Sequence, residues 1–131
     1  MRTSYATTIS LGDTDAAGVL FYARLFDLAQ RAFEHHCAAR GFPIARFWSD
    51  GVLAPVVHVE ADYRAPLRLG DDVVVETSLE GMGGSSFRIA HVVRRGDGTL
   101  AAEALVVHAC INRDGKSVPV SSALRLALEG G

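Results

Sequence analysis

The chain has 131 residues, with 13 Lys and Arg against 15 Asp and Glu and a formal net charge of −2. That length suits one domain, residues 1–131, with a core that needs no disulfide or metal staples. The balanced charge, free of like-charge runs, gives no electrostatic case for nucleic acid or an anionic membrane surface. No stretch approaches the roughly 20 apolar residues of a membrane span. The opening Met1-Arg2-Thr3-Ser4-Tyr5 precedes no apolar run of the signal-peptide kind. Cys37 and Cys110 fall within helical and strand patterns, as buried thiols do in a reducing compartment, so a cytoplasmic protein is expected.

Residues 4–11 read as a first strand with Tyr5, Thr7 and Ile9 on one side. An acidic loop follows, Leu11-Gly12-Asp13-Thr14-Asp15-Ala16-Ala17-Gly18-Val19-Leu20-Phe21-Tyr22. It runs into the most helix-like stretch of the chain. Tyr22, Leu25, Phe26, Ala29, Ala32, Phe33, His36 and Cys37 recur at i, i+3/4, i+7, while Asp27 and Arg31 pair off the stripe. Gly41 and Pro43 stop that helix near Arg40. Residues 42–52 form an apolar-anchored connection with a short helical turn over 44–49.

From Leu53 the period changes to two. Residues 54–65 alternate Val57, Val59, Ala61 and Tyr63 against His58, Glu60, Asp62 and Arg64, and Pro66 ends that strand. Leu69–Asp72 is a turn. Val73, Val75, Thr77 and Leu79 share the inward face of the next strand, and Gly81–Gly84 signals a hairpin. Phe87, Ile89, His91 and Val93 form the following inward face, then Gly96-Asp97-Gly98 turns the chain. Residues 100–111 are apolar on both faces and are expected at the centre of the sheet. Asn112–Gly115 is a third turn, followed by a short strand near Ser117–Val120 and a closing helix over 121–129, capped by Ser121 or Ser122. One helix cannot cover both faces of such a sheet, so an oligomer is expected.

Two carboxylates, Asp13 and Asp15, thus precede a helix N-terminus, where free N–H groups and partial positive charge gather. Such a place suits chemistry on a carbonyl. Asp before a helix is more often an N-cap, and Asp-Thr-Asp with Gly is ordinary turn chemistry.

The loop reads Gly-Asp-x-Asp-x-x-Gly-aliphatic-aliphatic-aromatic from Gly12 to Phe21. With the helix behind it and the later Tyr63-Arg64-Ala65-Pro66-Leu67-Arg68-Leu69-Gly70-Asp71, it resembles the hotdog-fold thioesterases over residues 4–125. More narrowly it is similar to the 4-hydroxybenzoyl-CoA thioesterase family of the aspartate type. The resemblance implies an α+β fold, an antiparallel five- or six-stranded sheet wrapped around one long helix, with a short C-terminal helix. It implies homodimers joined sheet edge to sheet edge, often homotetramers, with active sites at the dimer interface and an acyl-CoA substrate. It places the essential carboxylate on Asp15 and the oxyanion donor on the backbone N–H of Tyr22 or a near neighbour, with Gly18 keeping the turn open. Asp13, Phe21 and Ser86 are the substrate-side candidates, although Asp13 also suits holding loop amides and Ser86 its own turn. Relatives tied to the Tol–Pal envelope system commonly carry His where this chain has Tyr22, whereas Phe21-Tyr22 looks like the aryl-CoA enzymes. The run Asp13–Val19 also resembles the 1,4-dihydroxy-2-naphthoyl-CoA thioesterases.

The expected reaction is hydrolysis of an aromatic acyl-CoA, 4-hydroxybenzoyl-CoA-like. 1,4-Dihydroxy-2-naphthoyl-CoA or short-chain acyl-CoA hydrolysis, or a non-catalytic acyl-CoA binding module, are the alternatives. A dehydratase of the same fold is disfavoured because the loop has no His. Coenzyme A belongs to the substrate, and no cofactor or metal is expected. His35 and His36 face different sides of a helix, and His58, His91 and His108 lie on separate strands without ligand spacing. Cys37 lies on the apolar stripe, which suits packing rather than nucleophilic attack. Arg94-Arg95 sits at a strand end, where solvation is commoner than a phosphate contact.

Overall fold

A computed structural model describes residues 2–130. β1 (Arg2–Thr8) leads through a 3-10 turn (Leu11–Asp13) to α1 (Arg24–Ala39) and α2 (Ile44–Asp50). Then come β2 (Val52–Leu53), β3 (Val56–Tyr63), β4 (Asp72–Met82), β5 (Ser86–Arg95), β6 (Leu100–Ala109), β7 (Ile111–Asn112) and α3 (Ser122–Glu129). Five strands form one antiparallel sheet in the order β1-β4-β5-β6-β3, and β2 pairs β7 apart from it.

The helix α1 buries Leu25, Leu28, Ala29, Ala32, Phe33, His36 and Cys37 against the sheet, the stripe expected from their spacing. Gly41, at φ 79°, takes the left-handed turn after its last residues. Inward-facing Val73, Val75 and Thr77 of β4 meet Ile89, His91 and Val93 of β5 on the same face. α3, capped by the Ser121 hydroxyl accepting from Leu124 N–H at 3.1 Å, seals one end through Leu124 and Leu128.

Two expectations are corrected. β6, apolar on both faces, is not the central strand: β5 is, and β6 lies one strand in from the β3 edge. Its apolar second face, with Leu105 and Val107, is only half-buried within one chain. Ser117–Val120 forms no strand; Ser117 makes an isolated bridge to Ile111, and Val118 and Val120 donate to Cys110 and Gly84. Pro119, lacking an N–H, cannot contribute to a ladder there.

The core is divided. Leu25, Leu28, Ala32, Val73, Val75 and Val93 belong to one apolar cluster, and Phe33, Cys37, Phe87, Ile89 and Leu124 to another. Between them runs a polar row, Thr3 opposite Thr77 opposite His91, across three strands. Thr77 Oγ1 lies 2.9 Å from His91 Nδ1, and Thr3 Oγ1 lies 2.7 Å from Nδ1 of His36 on the helix above. Buried imidazoles tolerate such a position because a hydroxyl supplies either donor or acceptor.

β3 is unlike the other strands. It is an edge, and among its residues only Ala61 is even half-buried. Val57 is 61% exposed and Val59 42%. Its expected inward face is thus largely uncovered within one chain.

Candidate active site

The loop between β1 and α1 closes on itself. Asp15 N–H donates to Val19 O at 2.9 Å, Gly18 N–H to Asp15 O at 3.0 Å, and Thr14 bridges Leu20. Gly18 stands at φ 78° with open space where a Cβ would be, so conformation rather than crowding calls for glycine. Val19 bridges Arg68 and Leu20 N–H donates to Leu67 O at 2.7 Å, which ties the loop to the segment after β3.

The two acids have different surroundings. Asp13 is buried, and its Oδ2 accepts from Ser10 N–H at 2.9 Å and Ser10 Oγ at 3.0 Å. Its carbonyl accepts from Phe21 N–H at 2.9 Å, so Asp13 holds both ends of the loop. Asp15 is exposed. Its Oδ1 accepts from Ala17 N–H at 2.8 Å and, more weakly, from Val19 N–H at 3.5 Å. Its Oδ2 meets no donor among the described residues.

The start of α1 carries no side-chain cap. Its N-cap residue is Ala23, among the poorer choices for that position. Arg24 and Leu25 donate to Phe21 O and Tyr22 O. Among the described residues, nothing accepts from the N–H groups of Tyr22 and Ala23. Unsatisfied amides at a helix start form a ready anion site. Phe21 and Tyr22 stand at the surface beside them, 39% and 68% exposed, their rings 4.7 Å apart.

Tyr63, at the end of β3, donates its hydroxyl to Tyr22 O at 2.5 Å. Burial raises the Tyr63 phenol above its usual pKa, with a smaller contribution from Tyr22, so it stays protonated and can donate. Sequence reading treated this tyrosine only as part of a structural signature. Spacing could not show that the edge strand latches the helix start.

Ser86 is not beside the loop. It opens β5 opposite Ala109, next to Phe87 of the second apolar cluster, whereas Leu20 of the loop packs in the first. Within one chain the polar row of the core lies between those two clusters.

Beside β3 lies an apolar crevice of about 210 Å³, lined by Phe26, Ala29, Phe33, Val59, Val106 and His108 among others. An adjoining hollow of about 170 Å³ shares Gln30, Phe33 and His108 with it. Phe26 is four residues beyond Tyr22, so the crevice begins one helical turn from the free amides.

Other candidates lead elsewhere. His36, His91 and His108 are buried in the core, and among the described residues no group of three or more His, Cys, Asp or Glu could hold a metal. Burial, with Glu34 beside it, pushes the Cys37 thiol up to about 12, so it is no thiolate at neutral pH. Arg94 pairs with Glu76 at 2.9 Å, and Arg95 donates to Pro66 O at 3.3 Å.

The family model for the thioesterase-like superfamily matches residues 9–128. A 1,4-dihydroxy-2-naphthoyl-CoA hydrolase of Synechococcus elongatus is 34% identical over 109 residues, 82% of this chain and 79% of that one. A protein of the same name from Rippkaea orientalis is 33% identical over 124 residues, 92% and 90% of the two chains. Among solved structures, a gentisyl-coenzyme A thioesterase is similar at TM-score 0.87 and 27% identity, covering 94% of this chain and 99% of its own. A 1,4-dihydroxy-2-naphthoyl-CoA thioesterase from Synechocystis is similar at TM-score 0.90 and 24% identity, covering 98% and 96%. A match from the end of the first strand to the last helix takes in the loop, the helix and the whole sheet: the chain belongs to the thioesterase-like superfamily and has its hotdog fold.

Proposed function

We propose that this chain hydrolyses an aromatic acyl-CoA thioester to the free acid and coenzyme A, with 1,4-dihydroxy-2-naphthoyl-CoA the foremost substrate. The observation that carries this reading is the pairing of an exposed carboxylate, Asp15, with two unclaimed amides at the start of α1. The thioester oxygen sits on Tyr22 N–H, with Ala23 N–H beside it. Asp15 either draws the proton from an attacking water or attacks the carbonyl itself, forming an anhydride that water opens. Negative charge then grows on the oxygen that the amides already face. A preset donor of this kind is worth roughly 2.7–4 kcal/mol of barrier by analogy with other oxyanion holes. Coenzyme A leaves as the thiol, and no further cofactor is proposed.

Relatives named for 1,4-dihydroxy-2-naphthoyl-CoA and a structural neighbour named for gentisyl-CoA favour hydroxylated aromatic acyl groups. They turn the choice from 4-hydroxybenzoyl to dihydroxynaphthoyl. The test is thiol release from a panel of CoA thioesters: dihydroxynaphthoyl, 4-hydroxybenzoyl, phenylacetyl, and short and long alkyl. Fastest turnover is expected on dihydroxynaphthoyl-CoA. Binding of these esters without thiol release from any of them would favour the non-catalytic module instead.

The same reading calls for a second copy of the chain. β3 is an unpaired edge with exposed Val57 and Val59, a liability unless another strand meets it. Two β3 edges related by a two-fold axis run antiparallel. The Val56 end of one then lies beside the Tyr63 end of the other, where the Tyr63 hydroxyl holds Tyr22. Ser86, opposite Ala109 and one step beyond the Phe87–His108 and His108–Val56 pairings, approaches the active loop of the other copy in this way. Val57→Lys places a charged side chain on that apolar edge, beside the Tyr63 end of the other copy, where pairing would bury it. It is expected to weaken dimers by roughly tenfold to a hundredfold and to lower activity in step. Light scattering and thiol release on the same samples check it; full activity in a monomer refutes the interface.

A further inference from the structure

His108 lies on β6 and is only 2% exposed. Its Nδ1 is 2.9 Å from the carbonyl oxygen of Ala54, which can only accept, so Nδ1 carries a proton. Burial lowers the pKa of this imidazole, against the opposing influence of the Ala54 bond, and the ring is neutral at pH 7. Its single proton is therefore committed, and Nε2 is a bare acceptor. That atom is buried and has no partner.

The ring has little freedom to turn. Phe33 stacks on it at 4.4 Å and 20°, and Phe87 at 5.0 Å and 13°. It stands where the crevice between α1 and the β3 edge meets the hollow between α1 and α2, and it lines both. Phe26, Ala29, Val59 and Val106 supply apolar walls, and Gln30 and His91 are the other polar residues that line the crevice. Together the hollows reach the lower end of the volumes of small-molecule sites, about 300–1,000 Å³.

We propose that His108 determines specificity: the crevice takes the aromatic ring of the acyl group, and His108 Nε2 accepts a hydrogen bond from a hydroxyl on that ring. This assignment rests on the hydrolysis proposed above and names the feature of the acyl group that this chain selects. A ring hydroxyl gives Nε2 the donor that burial denies it. A ring of the same shape without that hydroxyl leaves Nε2 as it stands, buried and unpaired, and a buried unpaired acceptor is costly. Sites built to bond a substrate hydroxyl reject the analogue lacking it far more strongly than apolar pockets reject a change in size.

The test compares kcat/KM on pairs of CoA thioesters that differ only in hydroxylation: 1,4-dihydroxy-2-naphthoyl against 2-naphthoyl, and 2,5-dihydroxybenzoyl against benzoyl. The native protein is expected to favour the hydroxylated member by roughly tenfold to a hundredfold. His108→Phe keeps an aromatic ring against Phe33 and Phe87 and is expected to erase that ratio while still hydrolysing the unhydroxylated esters. An unchanged ratio in His108→Phe overturns the proposal, because loss of packing alone lowers both members together.

The variant also strands Ala54 O, so a second measurement uses the native protein. The ¹⁵N resonance of His108 Nε2 is followed while free 1,4-dihydroxy-2-naphthoic acid, and separately 2-naphthoic acid, is added. A shift toward hydrogen-bonded values with the hydroxylated acid alone supports the proposal; no shift, or equal shifts with both, overturns it. A hydroxyl-dependent shift in a protein that releases no thiol from any ester upholds the crevice and sinks the hydrolysis. Thiol release with neither shift nor preference does the reverse.

Discussion

Asp15→Asn is expected to lower kcat on an aryl-CoA thioester by about a thousandfold, the middle of the range for losing a positioned base, with KM and thermal midpoint nearly unchanged. The substitution separates two uses of the same side chain. As a loop-holding residue, Asp15 works through Oδ1, which accepts from Ala17 and Val19 N–H. Asparagine retains an oxygen in that position, so loop and helix start stay as they are. As a reacting group it needs a basic or nucleophilic oxygen, and an amide supplies neither. A purely structural Asp15 therefore predicts near-native turnover, and a reacting one predicts collapse with an intact fold. Full activity of Asp15→Asn on every thioester that the native protein cleaves would end the mechanism. Asp13→Asn makes the complementary control: its carboxylate is engaged by Ser10 N–H and Oγ, so its loss is read first as lower stability.

Those two acids show what a sequence reveals and where it stops. Alternation in β4 and β5, the stripe on α1 and the glycines at Gly18 and Gly41 are local signals, and the elements they marked are present. The family's loop was legible for the same reason, being contiguous. Strand order was not, because pairing β1 with β4 joins residues some 70 positions apart and leaves no local trace. β6 was misplaced since an apolar second face does not fix a place in the strand order, and its own Leu105 and Val107 are only half-buried. Ser86 shows the same difficulty: its residue type and turn were readable, but only the register opposite Ala109 reveals that one chain holds it away from the loop. His108 was set aside with the other strand histidines for want of ligand spacing. Nothing in its neighbours announced that Ala54 would take its one proton and leave the other nitrogen bare.

The second large effect is acid instability, and it comes from the polar row through the core. Burial, aided by Arg40 and His35, lowers the pKa of His36 from 6.5 to about 4. Burial, aided by His108 and His36, lowers that of His91 to about 4 as well. In the unfolded chain both titrate near 6.5. Between pH 6.5 and 4 the unfolded state therefore binds protons that the folded state refuses, so stability rises with pH across that window and falls on acidification. The full contribution is present above pH 6.5. Each group gives up about 3 kcal/mol by pH 4, and two such losses rival the whole stability of an ordinary domain, about 5–15 kcal/mol. Carboxylates do not explain a loss placed this high: Asp97, held down chiefly by the Thr99 amide, loses its contribution only below its ordinary 3.8. Urea unfolding at pH 7.5, 6.0, 5.0 and 4.5 is expected to show the midpoint dropping steeply below pH 6.5. His36→Gln removes one of three buried imidazoles whose pKa is lowered, His108 being the third with a smaller share, and is expected to be less stable at pH 7.5 but to lose roughly a third to a half of the slope. A midpoint flat from pH 6.5 to 4.5, or a variant with the native slope, shows that these imidazoles bind protons in the fold and that the row is hydrated. The expected slope instead means that Thr3 and Thr77 hold neutral rings at the one level where the two apolar clusters meet.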